Sequence, residues 1–268
     1  MNILLTCPPM IKQLKKLESV ISNYGFNIHV PNFTAVMNEN ELLDIIKDYD
    51  GWIIGDDQVT ENIILKGKSG KLKSLVKWGV GIDNVDFDLC KKHNIVVSNT
   101  PAMFGEEVSD IAINYLLTLS RKTHRINDEV RKGNWFKPSG KSLTGKKVGI
   151  IGFGDIGRAI SRKCIAFNLN VFVSDPGFTQ NKKTKKISCN YNSNIKIKDN
   201  LSNNVTISNT LDDCLINSDF IIVSCALNKY TNKMINKEKI LLAKKGVILI
   251  NVARGSIVVE KDVIELLE

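Results

Sequence analysis

A chain of 268 residues, 43% hydrophobic and 24% charged, is too apolar for wholesale disorder and long enough for two domains. Its formal net charge of +9 invites a nucleic-acid reading, but residues 177–210 concentrate six lysines against one acid, and the run Lys182, Lys183, Lys185, Lys186 has no interleaved aromatics to stack bases. That segment reads as a solvated loop, so no nucleic-acid partner is expected; no run reaches the ~18 apolar residues of a membrane-spanning helix, so no membrane partner is expected either.

The opening residues MNILLTCPPM lack the basic start and cleavage site of a signal peptide, and a cytoplasmic location is expected. Cys7, Cys90, Cys164, Cys189, Cys214 and Cys225 are scattered singly. Without CxxC or metal-ligand spacing they read as free thiols in a reducing compartment, and no metal site is expected. Histidine is scarce: His29, His93 and His124 are the full set.

In chain order, MNILL (1–5) reads as a buried strand. Ile11, Leu14, Leu17 and Ile21 mark a helix over 10–24, and FNIHV (26–30) a second strand. A helix over 39–47, a strand at 51–54, and a strand over 72–77 ending in the turn GVGIDNVD follow. A short helix at 87–93 and a strand at 95–98 continue the alternation, which predicts a parallel α/β sheet. Pro101 suits a hinge. Val108, Ile111, Ala112, Tyr115, Leu116 and Leu119 then share the face of one long helix, closed by Gly133 and the loop 133–145. This stripe suits either core or a second subunit. From Lys146 a second α/β unit starts, with strands at KKVGII, NVFVSD, 220–227 and 246–253. Residues 177–206 read as irregular and 260–268 as helix.

The run Val148-Gly149-Ile150-Ile151-Gly152-Phe153-Gly154-Asp155-Ile156-Gly157 contains GxGxxG between an apolar strand and a helix. Gly152 permits a tight turn, Gly154 lets backbone amides approach a pyrophosphate, and Gly157 lets the helix pack closely. The helix start supplies unpaired N–H groups and a positive dipole end. Asp175 closes the next strand, where a carboxylate accepts from ribose hydroxyls and repels a 2′-phosphate. NAD is therefore the expected cofactor.

These segments resemble the D-isomer-specific 2-hydroxyacid dehydrogenase family, in its phosphoglycerate-dehydrogenase-like branch. KWGVGIDNVD (77–86) is similar to the family's substrate loop and NTPAMFGEEVSDIAINYLLTLSR (99–121) to its hinge and interdomain helix. LTGKKVGIIGFGDIGRAI (143–160) is similar to the cofactor signature and NVARGSIV (251–258) to the catalytic-arginine motif. The resemblance implies a flavodoxin-like substrate domain at 1–99 and a Rossmann NAD-binding domain at 100–268. It also implies a homodimer formed through the interdomain helix region.

By the same resemblance, amides at Val80 and Gly81 hold the substrate carboxylate, and Asn84 supports that turn. Val108 packs near the nicotinamide, and Asp155 and Ile156 present amides to the pyrophosphate. Cys225, Ala226, Thr231, Val252 and Ala253 line the cofactor, with Ala226 standing where a proline is usual. Arg254 grips the carboxylate and polarises the C2 oxygen of a 2-hydroxy or 2-keto acid. The family's distal-phosphate arginine is replaced by Asp56 and Asp57, whose charges disfavour a phosphorylated substrate unless Lys77 compensates. The family's carboxylate–histidine pair falls downstream of the arginine, beyond Glu268. The 268 residues are therefore expected to lack the last cofactor-domain elements, the return segment of the substrate domain and that proton donor. A non-catalytic NAD-responsive binding protein on the same scaffold is the alternative.

Overall fold

NILL, GWII and SLVK are short apolar runs, the pattern of strands buried in a parallel sheet. In the computed structural model, which describes residues 1–190, 197, 199–216 and 218–267, they form such a sheet. The chain divides into two units, Met1–Met103 and Phe104–Glu268.

The first unit runs β1 (Asn2–Leu5), α1 (Pro8–Ile11), α2 (Leu14–Asn23), β2 (Asn27–His29), α3 (Glu39–Ile45), β3 (Gly51–Ile54), α4 (Glu61–Ser69), β4 (Ser74–Lys77), α5 (Phe87–Lys92) and β5 (Val96–Asn99). All strand pairs are parallel, in the order β2-β1-β3-β4-β5. This is the flavodoxin-like order, whose ligand crevice lies beyond the carboxyl ends of the strands. Leu4, Trp52, Ile54, Ile63, Ile64 and Leu75 belong to one buried cluster. Helix α4 had no counterpart in the sequence reading. Its Thr60 cap accepts from the Ile63 amide, and Ile63, Ile64 and Gly67 are its buried positions. Helix α3 starts in a reciprocal Asn38–Glu41 capping box, worth about 1 kcal/mol.

The second unit runs α6 (Gly105–Arg121), α7 (Thr123–Arg131), β6 (Lys147–Ile151), α8 (Asp155–Ala166), β7 (Asn170–Ser174), β8 (Phe178–Gln180), β9 (Ile187–Cys189), α9 (Asp199–Ser202), β10 (Val205–Ile207), α10 (Leu211–Ile216), β11 (Phe220–Val223), α11 (Lys237–Leu242), β12 (Ile248–Asn251) and α12 (Glu260–Leu267). Its five-stranded parallel sheet has the order β10-β7-β6-β11-β12. Counted from β6, the strands follow the doubly wound Rossmann order, with a switch point at β6.

Two expectations are corrected here. The segment 177–206 is not irregular where it is described: β8 and β9 form an antiparallel hairpin, and β10 is the edge strand of the main sheet. Phe178 and Ile187 anchor the hairpin in the unit's core, and Phe178 meets Phe153 edge-on at 5.2 Å. The segment after the hinge is not one helix. Lys122 adopts a left-handed conformation (φ 57°) and separates α6 from α7. On α6 the stripe divides as well: Ala112 and Leu116 are buried, whereas Ile111, Tyr115 and Leu119 are exposed. Among the described residues no helix is long and apolar enough to cross a membrane.

Candidate functional site

The β6 switch point is where this topology opens a crevice, because its neighbours β7 and β11 lead into crossovers in opposite directions. The glycine turn occupies that position. Gly152 has φ +97°, and a Cβ there would stand 2.6 Å from the Cys225 Cα. A Cβ on Gly157 would stand 2.0 Å from the Gly152 carbonyl oxygen. Both glycines are therefore required by the chain itself. Gly154 differs: a Cβ would meet nothing within 4 Å. That open space, directly before α8, is what a bound group approaching the backbone needs.

Gly154 caps α8 in an extended conformation without a side-chain cap bond. The first-turn amides of Asp155 and Ile156 have no intrahelical acceptor, and the helix dipole adds positive potential there. These features fit a dinucleotide pyrophosphate. Arg158 braces the turn by donating from Nη1 to the Phe153 carbonyl at 3.1 Å, with Asp155 3.8 Å away. Burial lowers its guanidinium pKa. The sequence reading passed over Arg158, although it sits directly after the motif.

Asp175 lies at the end of β7. Its Oδ2 accepts from the Phe153 amide at 2.7 Å and its Oδ1 from the Gly177 amide at 2.8 Å. Each oxygen keeps a lone pair for a hydroxyl donor. Across the turn, burial and then the Asp175 charge push the Cys225 thiol up to about 11. Ala226 does not leave its wall unsupported. The Thr231 hydroxyl donates to the Ala226 carbonyl at 2.7 Å and accepts from the Asn228 amide at 2.8 Å, closing the loop on itself.

After β12 the side chain of Asn251 clamps the next turn. It accepts from the Ala253 amide at 3.0 Å and donates to the Arg254 carbonyl at 2.9 Å. Val252 donates its amide to the Val223 carbonyl, tying the same turn to β11. Arg254 is half-buried and extended, and its Nη1 donates to the Ala253 carbonyl at 3.1 Å. Val108 is half-buried in the first turn of α6.

In the first unit the turn after β4 is held by side chains from the end of β5. Gly79 (φ +149°) donates to the Thr100 hydroxyl at 2.9 Å, and Asn99 donates to the Val80 carbonyl at 2.9 Å. Among the described residues the amides of Val80 and Gly81 donate to no protein acceptor, which leaves them for an anion. Asn84 is buried and donates to the carbonyls of Gly55 and Asp57, as expected of a supporting residue.

The expectation for Asp57 is corrected. Its carboxylate is fully buried, accepting from the Thr6 hydroxyl and the Met37 amide. Asp56 is exposed, but its carboxylate is 3.0 Å from the buried Lys77 ammonium, which also donates to the Gly55 carbonyl. One inward carboxylate and one neutral pair leave no doubled negative charge to repel a phosphate. Of the three histidines, His29 stacks on Tyr49, His93 ends α5 and His124 lies on α7.

The glycine turn at the switch point of a doubly wound sheet defines a dinucleotide-binding α/β protein. The sequence pattern of the D-isomer specific 2-hydroxyacid dehydrogenase NAD binding domain matches residues 113–268, and the chain belongs to that family. It is 31% identical over 232 residues to a hydroxypyruvate reductase of Thermotoga maritima, covering 85% of this chain and 68% of the relative. It is 32% identical over 242 residues to a D-3-phosphoglycerate dehydrogenase of Bacillus subtilis, covering 88% of this chain and 42% of the relative. Among solved structures it is similar to an Aquifex aeolicus D-lactate dehydrogenase complexed with NAD and lactic acid. That match has a TM-score of 0.77 and 27% identity, over 99% of this chain and 72% of the other. Relatives named for different substrates match at like identity, so the likeness reaches the family and not one branch.

Proposed function

We propose that this chain serves an NAD-dependent oxidoreductase that interconverts a 2-hydroxy acid and its 2-keto acid. The observation that carries the reading is the Gly152–Gly157 turn, self-packed at both ends and open at Gly154. The bound dinucleotide supplies the hydride acceptor or donor. The amides of Asp155 and Ile156 hold its pyrophosphate, and Asp175 accepts from its ribose hydroxyls. Asp175 thereby prefers NAD to NADP, because a 2′-phosphate meets a like charge. Val108, Cys225, Ala226, Thr231, Val252 and Ala253 form the walls.

In the substrate the carboxylate takes the Val80 and Gly81 amides. Arg254 stabilises negative charge on the C2 oxygen, a task suited to a permanently charged fork of donors, and in the reducing direction that oxygen takes its proton from water. The substrate class is a small 2-keto acid, and the neutral Asp56–Lys77 pair removes the charge argument against a phosphorylated one. The exposed Ile111, Tyr115 and Leu119 stripe on α6 is the surface we assign to a homodimer, checked by sedimentation at several concentrations. Free thiols at all six cysteines fit work in a reducing cytoplasm.

The test is an NADH titration beside NADH oxidation with a panel of 2-keto acids, for the intact chain and Arg254→Gln. NADH binding with turnover that falls about tenfold to a hundredfold in the variant supports the reading, the range expected for a lost charge-assisted hydrogen bond. Binding without turnover favours a non-catalytic NAD-responsive protein. Absence of NADH binding removes both.

A further inference from the structure

The lysine run in residues 177–210, set aside above as a solvated loop, has a defined place. Asp175 from the end of β7 and Ser208 and Thr210 from the β10–α10 turn line a pocket of about 780 Å³. The β8–β9 hairpin forms another wall, with Thr179, Lys182 and Lys185.

The hairpin is fixed rather than loosely appended. The Gln180 amide nitrogen lies within 3.1 Å of the carbonyls of Lys185, Ser202 and Val205, which share its two hydrogens, and its oxygen accepts from the Ile207 amide. One side chain thus ties the hairpin to its own turn and to β10. The Asn181 carboxamide oxygen accepts from the Lys183 and Thr184 amides and shapes the tip. Phe178 and Ile187 bury the base.

We propose that Lys182 and Lys185 form an anion subsite at the ribose end of the cofactor pocket, which admits the 2′-phosphate of NADP alongside NAD. The proposal rests on the cofactor reading above, because it is Asp175 that marks the ribose. Among the described residues neither ammonium is paired with a carboxylate. The acids on the same pocket are Asp175 and Asp213. Asp175 already accepts a backbone N–H on each oxygen, which draws part of its charge toward the turn. Two ammonium groups and the Thr179 and Ser208 hydroxyls offset its repulsion of a phosphate. NAD stays preferred, and the hairpin narrows the preference.

The experiment titrates the intact chain with NADH, NADPH, ADP-ribose and 2′-phospho-ADP-ribose by fluorescence or calorimetry. The same titrations are run on a Lys182→Gln/Lys185→Gln double variant whose melting temperature is checked first. Both side chains sit on the hairpin surface, so the fold should be kept. Intact protein is expected to bind NADPH measurably. The double variant should weaken NADPH and 2′-phospho-ADP-ribose about tenfold, the scale of two partly exposed charge contacts, while NADH and ADP-ribose stay within about twofold. Added salt should weaken NADPH binding in the intact chain more than in the variant. NADH binding without any NADPH binding overturns this inference alone, as does an equal effect, or none, on the two cofactors. Failure to bind NADH overturns the cofactor reading and this inference with it.

Discussion

The two glycine turns to which we assign anion binding are built in different ways. After β6 the turn is enforced by contact: Gly152 lies against Cys225, and Gly157 against the Gly152 carbonyl. After β4 the turn is held by polar side chains, Thr100 on Gly79 and Asn99 on Val80. The first leaves no room for a single added carbon at Gly152 or Gly157. The second rests on hydrogen bonds to groups that are partly in water, each worth about 1 kcal/mol. The cofactor turn should therefore break abruptly and the carboxylate turn by degrees.

The largest effect is expected from Gly157→Ala. The added Cβ collides with backbone, which cannot rotate away, so about 3 kcal/mol of stability should go, read by urea unfolding, and NADH binding with it. A Gly157→Ala chain that unfolds and binds NADH like the original would show that the turn can relax. Next is Asp175→Ala, which removes acceptors from the Phe153 and Gly177 amides as well as from a ribose. NADH affinity should fall about tenfold, and the NADH-to-NADPH ratio should drop, in paired titrations. An unchanged ratio would remove Asp175 from cofactor choice. The smallest effect belongs to the other turn. Asn99→Ala should weaken binding of oxamate, an unreactive 2-keto acid mimic, about threefold and cost about 1 kcal/mol. NADH affinity should stay as it was; a larger loss for NADH than for oxamate would reverse the assignment of the two turns.

Much of this was legible in the sequence. The strand runs NILL, GWII, KVGII and FIIV carry their burial in their composition, and the glycine spacing marked the turn found at the switch point of the second sheet. What escaped notice was set by contacts distant in the chain. The β8–β9 hairpin has one buried residue in each strand, Phe178 and Ile187, amid lysine and asparagine, and its lock is Gln180 reaching Ser202 and Val205. No local period reports such bonds. Asp57 was misread for the same reason: its partners Thr6 and Met37 are distant in sequence, and a carboxylate after a strand reads as exposed until they are seen. The break at Lys122 rests on one left-handed residue that is neither Gly nor Asn, so the apolar pattern ran through it. Helix α4 carried a readable signal, Thr60 before Ile63 and Ile64, in a segment with a narrow apolar face.

The central claim is that a dinucleotide lies against the open side of the turn after β6, and Gly154→Val tests it most directly. A Cβ at this position meets nothing within 4 Å, so the variant should fold, at a cost of about 1 kcal/mol as a poorer helix cap. If the pyrophosphate occupies that space, NADH affinity measured by fluorescence titration should fall at least about tenfold, since a side chain there holds the phosphates off the amides. A folded Gly154→Val protein that binds NADH as tightly as before would contradict the account.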